Sequence, residues 1–61
     1  MCDTTAYVID GDSEELVMES VQTIRPEGDS VHMTNLFGEQ TTFKGHIKEI
    51  SLRSGKVILE R

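Results

Sequence analysis

The sequence contains few cysteine, proline and aromatic residues. Its 61 residues include one cysteine, one proline and three aromatic residues. A single cysteine cannot close an intrachain disulfide, and a chain of this length buries only about 60% of the surface that it exposes when unfolded. Disulfide stabilisation within the chain is therefore excluded. We expect one small β-rich domain, residues 1–61, whose stability depends on association or on a metal ion.

Basic residues and long apolar runs are scarce as well. Eleven acidic residues against six basic ones give a net charge of -5, which disfavours binding to a nucleic-acid backbone. The sequence has no apolar run of about 18 residues and no N-terminal signal with a basic start and an apolar middle. We therefore expect a cytoplasmic protein with no membrane segment, in which the thiol stays reduced.

Apolar residues occur in short alternating bursts separated by turn residues. Val31 and Met33 alternate with polar residues in "VHMTNLF", and Val57 and Leu59 do so in the last apolar burst. Such bursts, with turn signals every 8–12 residues or so, are typical of a small all-β fold. We predict an antiparallel sandwich or barrel, with a two-residue hairpin turn at Ser54–Gly55.

Two segments carry more specific predictions. In "GDSEELVMESVQ", the apolar residues Leu16, Val17 and Val21 recur at roughly helical spacing after a suitable N-cap, so one short helical turn is an alternative to a strand. In "PEGD", Pro26 can preset a turn dihedral and Gly28 can accept a positive φ. We predict a turn at this second segment.

Familiar metal-binding patterns are absent from the middle of the chain. A calcium loop that begins at Asp10 requires Gly at its sixth position and Glu at its twelfth, but Glu15 and Val21 stand there. His32 and His46 are fourteen residues apart and have no partner at zinc-ligand spacing. We interpret the acidic stretch as a solvated turn and keep the two histidines as secondary metal-ligand candidates.

Cys2 is the candidate with the richest metal chemistry. Removal of Met1 would leave the α-amine and the thiol on one residue, where they can form a chelate, and the backbone amide of Asp3 would add a third donor. Nitrogen and thiolate donors in a plane suit nickel(II) or copper(II) better than magnesium or calcium. Catalysis by Cys2 is disfavoured because a nucleophile requires an oriented base and a formed pocket, so we expect no enzyme.

Several short motifs together resemble a known family. The initial "MC", the "EGD" turn before an alternating strand, the "NLFGE" bend and the "LRSGKVIL" hairpin follow one another as in the small CooT-type nickel-binding proteins associated with carbon monoxide dehydrogenase maturation. The resemblance implies a homodimer, nickel(II) bound through Cys2, and a metallochaperone role with a nickel enzyme as recipient. That family has also been described as predicted RNA-binding, because its small barrel resembles Sm-like folds, so an RNA-binding module is the alternative function.

Overall fold

The computed structural model of the protein describes residues 4–61, and these residues form strands and turns without a helix. The all-β prediction is therefore confirmed. The strands are β1 (Thr5–Asp10), β2 (Ser13–Met18), β3 (Val21–Glu27), β4 (Ser30–Asn35), β5 (Gln40–Lys44), β6 (His46–Ser51) and β7 (Lys56–Glu60).

The strands form two sheets that pack as a small sandwich and do not close into a barrel. One sheet has the order β2-β1-β7-β6, and the other has the order β3-β4-β5. Neighbouring strands run antiparallel except β1 and β7, which pair in parallel with Thr5 opposite Lys56. The parallel pair at the centre of the larger sheet is not expected from the sequence, because its two strands lie at opposite ends of the chain.

The core lies between the sheets and is built by alternation along the strands. In β4, Val31, Met33 and Asn35 point inward while the residues between them are half-buried, which confirms the predicted alternation. Met33 and Leu59 are fully buried, and burial of such a side chain contributes about 1.5–3 kcal/mol. The buried apolar cluster consists of Ala6, Val8, Met18, Val21, Val31, Met33, Val57 and Leu59.

The segment that could also suit a helical turn forms strand β2, so the helical alternative is wrong. Leu16 lies opposite Tyr7 and Met18 lies opposite Ala6, with a register shift between the two pairs. Val17 is the extra residue of this β-bulge, which interrupts the alternation of the strand. The bulge explains why apolar residues at successive positions in β2 mimic helical spacing.

The β3–β4 hairpin turns later than predicted. Pro26 lies within β3 opposite Val31, and the turn is formed by residues 28–29. The prediction of Pro26 as a turn residue is therefore wrong, whereas Gly28 has the expected positive φ of 61°. A proline without an amide donor is tolerated because β3 is an edge strand.

The β6–β7 connection is longer than two residues, so the prediction of a two-residue turn at Ser54–Gly55 is wrong. Ser51 pairs with Lys56, so residues 52–55 form the connection. The hydroxyl of Ser54 donates a hydrogen bond of 2.8 Å to the hydroxyl of Ser51, and Gly55 adopts a positive φ of 66°. The connection thus presents two further residues to solvent.

Strand ends and connections gather at two poles of the sandwich. We define the N-terminal pole as Thr4 with the connections 19–20, 36–39 and 52–55, and the opposite pole as the connections 11–12, 28–29 and 45. Three backbone hydrogen bonds tie the N-terminal pole together, from the amides of Thr5, Val21 and Leu36 to the carbonyls of Gly55, Thr4 and Ser20.

Candidate metal centre

The predicted ligands Cys2 and Asp3 lie outside the described residues, which begin at Thr4. The carbonyl of Thr4 accepts a hydrogen bond of 2.8 Å from the amide of Val21, the first residue of β3. The amide of the next residue donates to the β6–β7 connection at 2.8 Å. These two bonds fix the start of the described chain at the N-terminal pole.

His32 lies on the outer face of the three-stranded sheet. Its neighbours Val31 and Met33 point into the core, so the imidazole points away from it. Its Nδ1 lies 3.2 Å from Oγ1 of Thr42, the residue directly opposite on β5. This hydrogen bond occupies one ring nitrogen in a cross-strand contact.

His46 lies at the start of β6, beside the opposite pole. Its Nε2 is 3.1 Å from Oε1 of Glu60, and Nζ of Lys48 is 4.0 Å from the other oxygen of that carboxylate. All three side chains are well exposed, so their ion pairing contributes at most about 1 kcal/mol to stability. The contact is a surface network that straddles β6 and β7.

The two histidines cannot bind one ion within the same chain. His32 lies on the outer face of one sheet, whereas His46 pairs with Glu60 on the outer face of the other, with the core between them. His46 pairs with Glu60 on β7, whereas Thr5 pairs with Lys56 four residues earlier on the same strand. His46 is therefore roughly 13 Å along the strand direction from Thr5. Within residues 4–61, no three side chains of the His, Cys, Asp and Glu types gather as a metal site.

A buried asparagine organises the connection beside the N-terminal pole. Oδ1 of Asn35 accepts hydrogen bonds from the amides of Phe37 at 3.0 Å and Glu39 at 2.9 Å. Its Nδ2 donates to Oε1 of Glu39 at 2.7 Å. Asn35 is 3% exposed, and both polar atoms of its side chain are hydrogen-bonded within this connection. Sequence reasoning noted the "NLFGE" bend but missed the role of Asn35, for which an asparagine before a glycine-containing turn is the available signal.

An open groove of about 370 Å³ lies next to this connection. Leu16, Val17 and Met18 form its apolar wall with Phe37, and Glu19 and Glu39 are its acidic residues. The groove is open, and its described lining residues include no cysteine, serine, threonine or histidine. It is suited to receive a side chain of another protein rather than to enclose a substrate.

Most cations of the described chain are already engaged by side-chain partners. Arg25 pairs with Glu27 at 2.9 Å, and Lys56 pairs with Glu14 at 3.0 Å. Arg61 lies over the ring of an aromatic residue, with its guanidinium carbon 5.5 Å from the centroid. A basic surface interleaved with aromatic side chains, as single-stranded nucleic acid requires, is not formed by residues 4–61.

Comparisons with known proteins place these features in a family. The model of the family described as "CO dehydrogenase accessory protein CooT" matches residues 1–60. The chain belongs to the CooT family. This membership confirms the resemblance drawn from the short motifs and associates the chain with carbon monoxide dehydrogenase maturation through an accessory, rather than catalytic, family.

Relatives of this CooT-family chain share its whole length. The crystal structure of a protein described as CooT from Carboxydothermus hydrogenoformans has a TM-score of 0.90 and 33% sequence identity, and the match covers 98% of this chain and 97% of that one. The uncharacterized protein MJ1551 of Methanocaldococcus jannaschii is 38% identical over 60 residues, which are 98% of each chain. The two-sheet architecture is therefore shared with a solved CooT-family structure.

No helix of residues 4–61 has the length and hydropathy that crossing a bilayer requires.

Proposed function

We propose that this CooT-family chain is a nickel(II)-binding metallochaperone that supplies the ion for assembly of a nickel enzyme such as carbon monoxide dehydrogenase. The family match over residues 1–60 is the observation that carries this proposal. An accessory protein of a metalloenzyme must bind its cargo reversibly, and it needs no catalytic centre of its own. Nickel is thus a transferred cargo, and the chain is not an enzyme.

Cys2 is the proposed principal ligand. It is the only cysteine of the chain, and a thiolate is the softest donor that a protein offers to a late divalent metal. With Met1 removed, the α-amine of Cys2 completes a chelate with its thiolate, and the backbone amide of Asp3 contributes a third donor. Hydrogen bonding at Thr4 supports this arrangement, because the ligand segment joins the fold at an anchored residue.

The proposed setting is a cytoplasmic homodimer. A reducing compartment keeps a lone thiol available as thiolate for metal binding. A chain of 61 residues gains from association because a small monomer leaves much of its apolar surface in contact with water. A second copy would cover part of this apolar surface and so stabilise the fold.

Nickel titration of the parent and of Cys2→Ser tests the metal site. We expect Cys2→Ser to lose tight nickel binding in calorimetry and to lose the sulfur-to-nickel charge-transfer absorption. His32→Ala and His46→Ala serve as matched controls and should bind as the parent does, because their side chains lie away from Thr4. Native mass spectrometry of the same samples reports whether Met1 is removed.

Two further measurements separate the contribution of the thiolate to nickel binding from that of the amine. Affinity should rise with pH until the thiol is deprotonated, because nickel must displace the thiol proton and a free cysteine has a pKa near ~8.5. An N-terminal extension that retains Cys2 should weaken binding, because it removes the amine from chelating range. Equal nickel affinity of Cys2→Ser and the parent would refute the terminal site.

A further inference from the structure

The two sheets of residues 4–61 leave four strands at their edges, and β5 differs from the other three. The edges are β2 and β6 in the larger sheet and β3 and β5 in the smaller one. A register shift interrupts β2 and another interrupts β6, and β3 contains Pro26. β5 pairs with β4 over five consecutive residues without a shift and contains no proline. Bulges and prolines discourage further pairing at an edge, so β5 is the edge that remains open to another strand.

Backbone groups of β5 point to this open edge at every second residue. At one end of the β4–β5 ladder the amide of Asn35 donates to the carbonyl of Glu39, and at the other end the amide of Gly45 donates to the carbonyl of Asp29. Hydrogen-bonded pairs alternate with non-hydrogen-bonded pairs along an antiparallel ladder, so residues 41 and 43 also bond to β4. The residues whose N–H and C=O groups point to the open edge are Gln40, Thr42 and Lys44.

The interior of the sandwich is incompletely covered beside this edge. Ile50 of β6 lies opposite the buried Val57, so its side chain points inward, yet Ile50 is 52% exposed. On β5 the inward-facing residues Thr41 and Phe43 are likewise only half-buried. β5 and β6 run from Gly45 into different sheets, so apolar surface stays in contact with water on the side of the sandwich between them. Apolar side chains of an added strand would cover it.

The outer face of β5 favours one sign of charge on the incoming strand. Gln40, Thr42 and Lys44 are its exposed positions. β5 carries no carboxylate, whereas each of the other three edge strands carries at least one. The cross-strand neighbour of Lys44 on β4 is Ser30, and the ion pairs within residues 4–61 do not include Lys44. A carboxylate opposite Lys44 on the open side would form a favourable cross-strand pair.

We propose that β5 is a docking edge that receives an extended segment of a partner protein as an antiparallel fourth strand of the smaller sheet. The segment alternates apolar residues, which face the interior beside Ile50, with polar residues, and it places a carboxylate opposite Lys44. Backbone pairing supplies the affinity and the alternate side chains supply the selectivity of such strand addition. The inference uses neither Cys2 nor the homodimer, so it stands or fails separately from the metal proposal.

Peptide binding followed by amide hydrogen exchange tests the docking edge residue by residue. The probe is an acetylated and amidated peptide, Glu-Val-Thr-Val-Thr, whose antiparallel register places its glutamate opposite Lys44 and its valines on the inward side. In the free protein the amides of residues 40, 42 and 44 should exchange faster than those of residues 41 and 43, because only the latter bond to β4. Peptide at about ten times its Kd should slow exchange at residues 40, 42 and 44 about tenfold.

Two substitutions at Thr42 separate the backbone contribution to peptide binding from that of the side chain. Thr42→Pro removes an amide that points to the open edge and should weaken binding at least about tenfold. Thr42→Val is the matched control: it loses the same hydroxyl and its contact with His32 at 3.2 Å, keeps the amide, and should bind as the parent does. N-methylation of the central threonine of the peptide removes the equivalent donor from the other strand, so it decides the question if Thr42→Pro loses its strands in circular dichroism.

A charge exchange tests the register of the pairing. Lys44→Glu should weaken binding of the glutamate peptide and should bind the peptide Lys-Val-Thr-Val-Thr more tightly than the parent does, because the cross-strand pair then regains opposite charges.

Three results would overturn the docking edge. The first is unchanged exchange at residues 40, 42 and 44 with millimolar peptide, and the second is full binding of the N-methylated peptide. The third is slow exchange at these residues in the peptide-free protein that strengthens with protein concentration, which would assign the edge to pairing between two copies of this chain. Nickel titration of the same variants should match the parent.

Discussion

Replacing Asn35 by alanine should destabilise the protein strongly. The change removes three hydrogen bonds, two to backbone amides and one to the carboxylate of Glu39. Each bond contributes about 0.5–1.5 kcal/mol net, and the amides that lose an acceptor add to the cost unless water reaches them. We expect a loss of about 2–3 kcal/mol in the free energy of unfolding.

This loss is large for so small a chain. At the usual ~0.05–0.15 kcal/mol per residue, 61 residues correspond to a total stability of roughly 3–9 kcal/mol. In urea, with a slope of about 1 kcal/mol per molar, the midpoint of Asn35→Ala should fall by about 2–3 M. The measurement is urea unfolding followed by far-ultraviolet circular dichroism at one fixed protomer concentration, because dimerisation links stability to concentration.

Two companion variants resolve the contributions of the asparagine. Asn35→Asp keeps the oxygen that accepts from the amides of Phe37 and Glu39 but faces the carboxylate of Glu39, so its deficit should shrink as the pH falls and one carboxyl group regains a proton. Glu39→Gln keeps an acceptor for Asn35 and should cost less than about 1 kcal/mol. A loss below about 0.5 kcal/mol for Asn35→Ala would refute the claim that Asn35 supports the connection.

Four other outcomes are expected. Gly45→Ala should lower the free energy of unfolding by about 2–4 kcal/mol in thermal or urea unfolding, because its φ is 150° and a Cβ would collide with the backbone carbonyl of Glu60. Gly11→Ala should lower it by only about 1 kcal/mol, because Gly11 has a φ of 67° but a Cβ there meets open space. Lys56→Met should cost about 0.5–1 kcal/mol at low salt and less in 1 M salt, because it removes the exposed pair with Glu14 and the cation 4.9 Å from the ring of Tyr7. Short RNAs should show no saturable binding in fluorescence anisotropy at physiological salt, and binding weakened by added salt would instead favour the RNA alternative.

Alternation along single strands could be predicted from the sequence, whereas departures from it could not. Val31 and Met33 in β4 follow the two-residue period of a half-buried strand, so the pattern alone indicates their inward direction. Val17 breaks the period because a bulge inserts it between two paired residues. Pro26 favours a turn by local preference, but its place on an edge strand removes the penalty for continuing the strand.

The candidate functional residues also divide into those that could be predicted from the sequence and those that could not. Cys2 could be named from its chemistry and from the family motifs, and it remains a prediction because the described residues begin at Thr4. The N-terminal pole could not be predicted, because the connections that carry Phe37 and Leu52 belong to different sheets and reach the same end of the sandwich only through pairing of strands that are distant in sequence. Asn35 gave a weak turn signal, and its three hydrogen bonds depend on the burial that the sandwich creates.

Parallel pairing of β1 with β7 has a consequence for the rate of folding. The β1–β2, β3–β4 and β6–β7 hairpins are local and can form within about 1–10 μs. Joining Thr5 to Lys56 closes a loop of 51 positions, at an entropic cost of roughly 3.5 kcal/mol. Docking of β7 is therefore the slow step, on the millisecond-to-second scale of non-local β topologies. The bond from Thr5 to Gly55 forms in that step, so the first strand reaches its final place at the N-terminal pole only after the two ends of the chain have met.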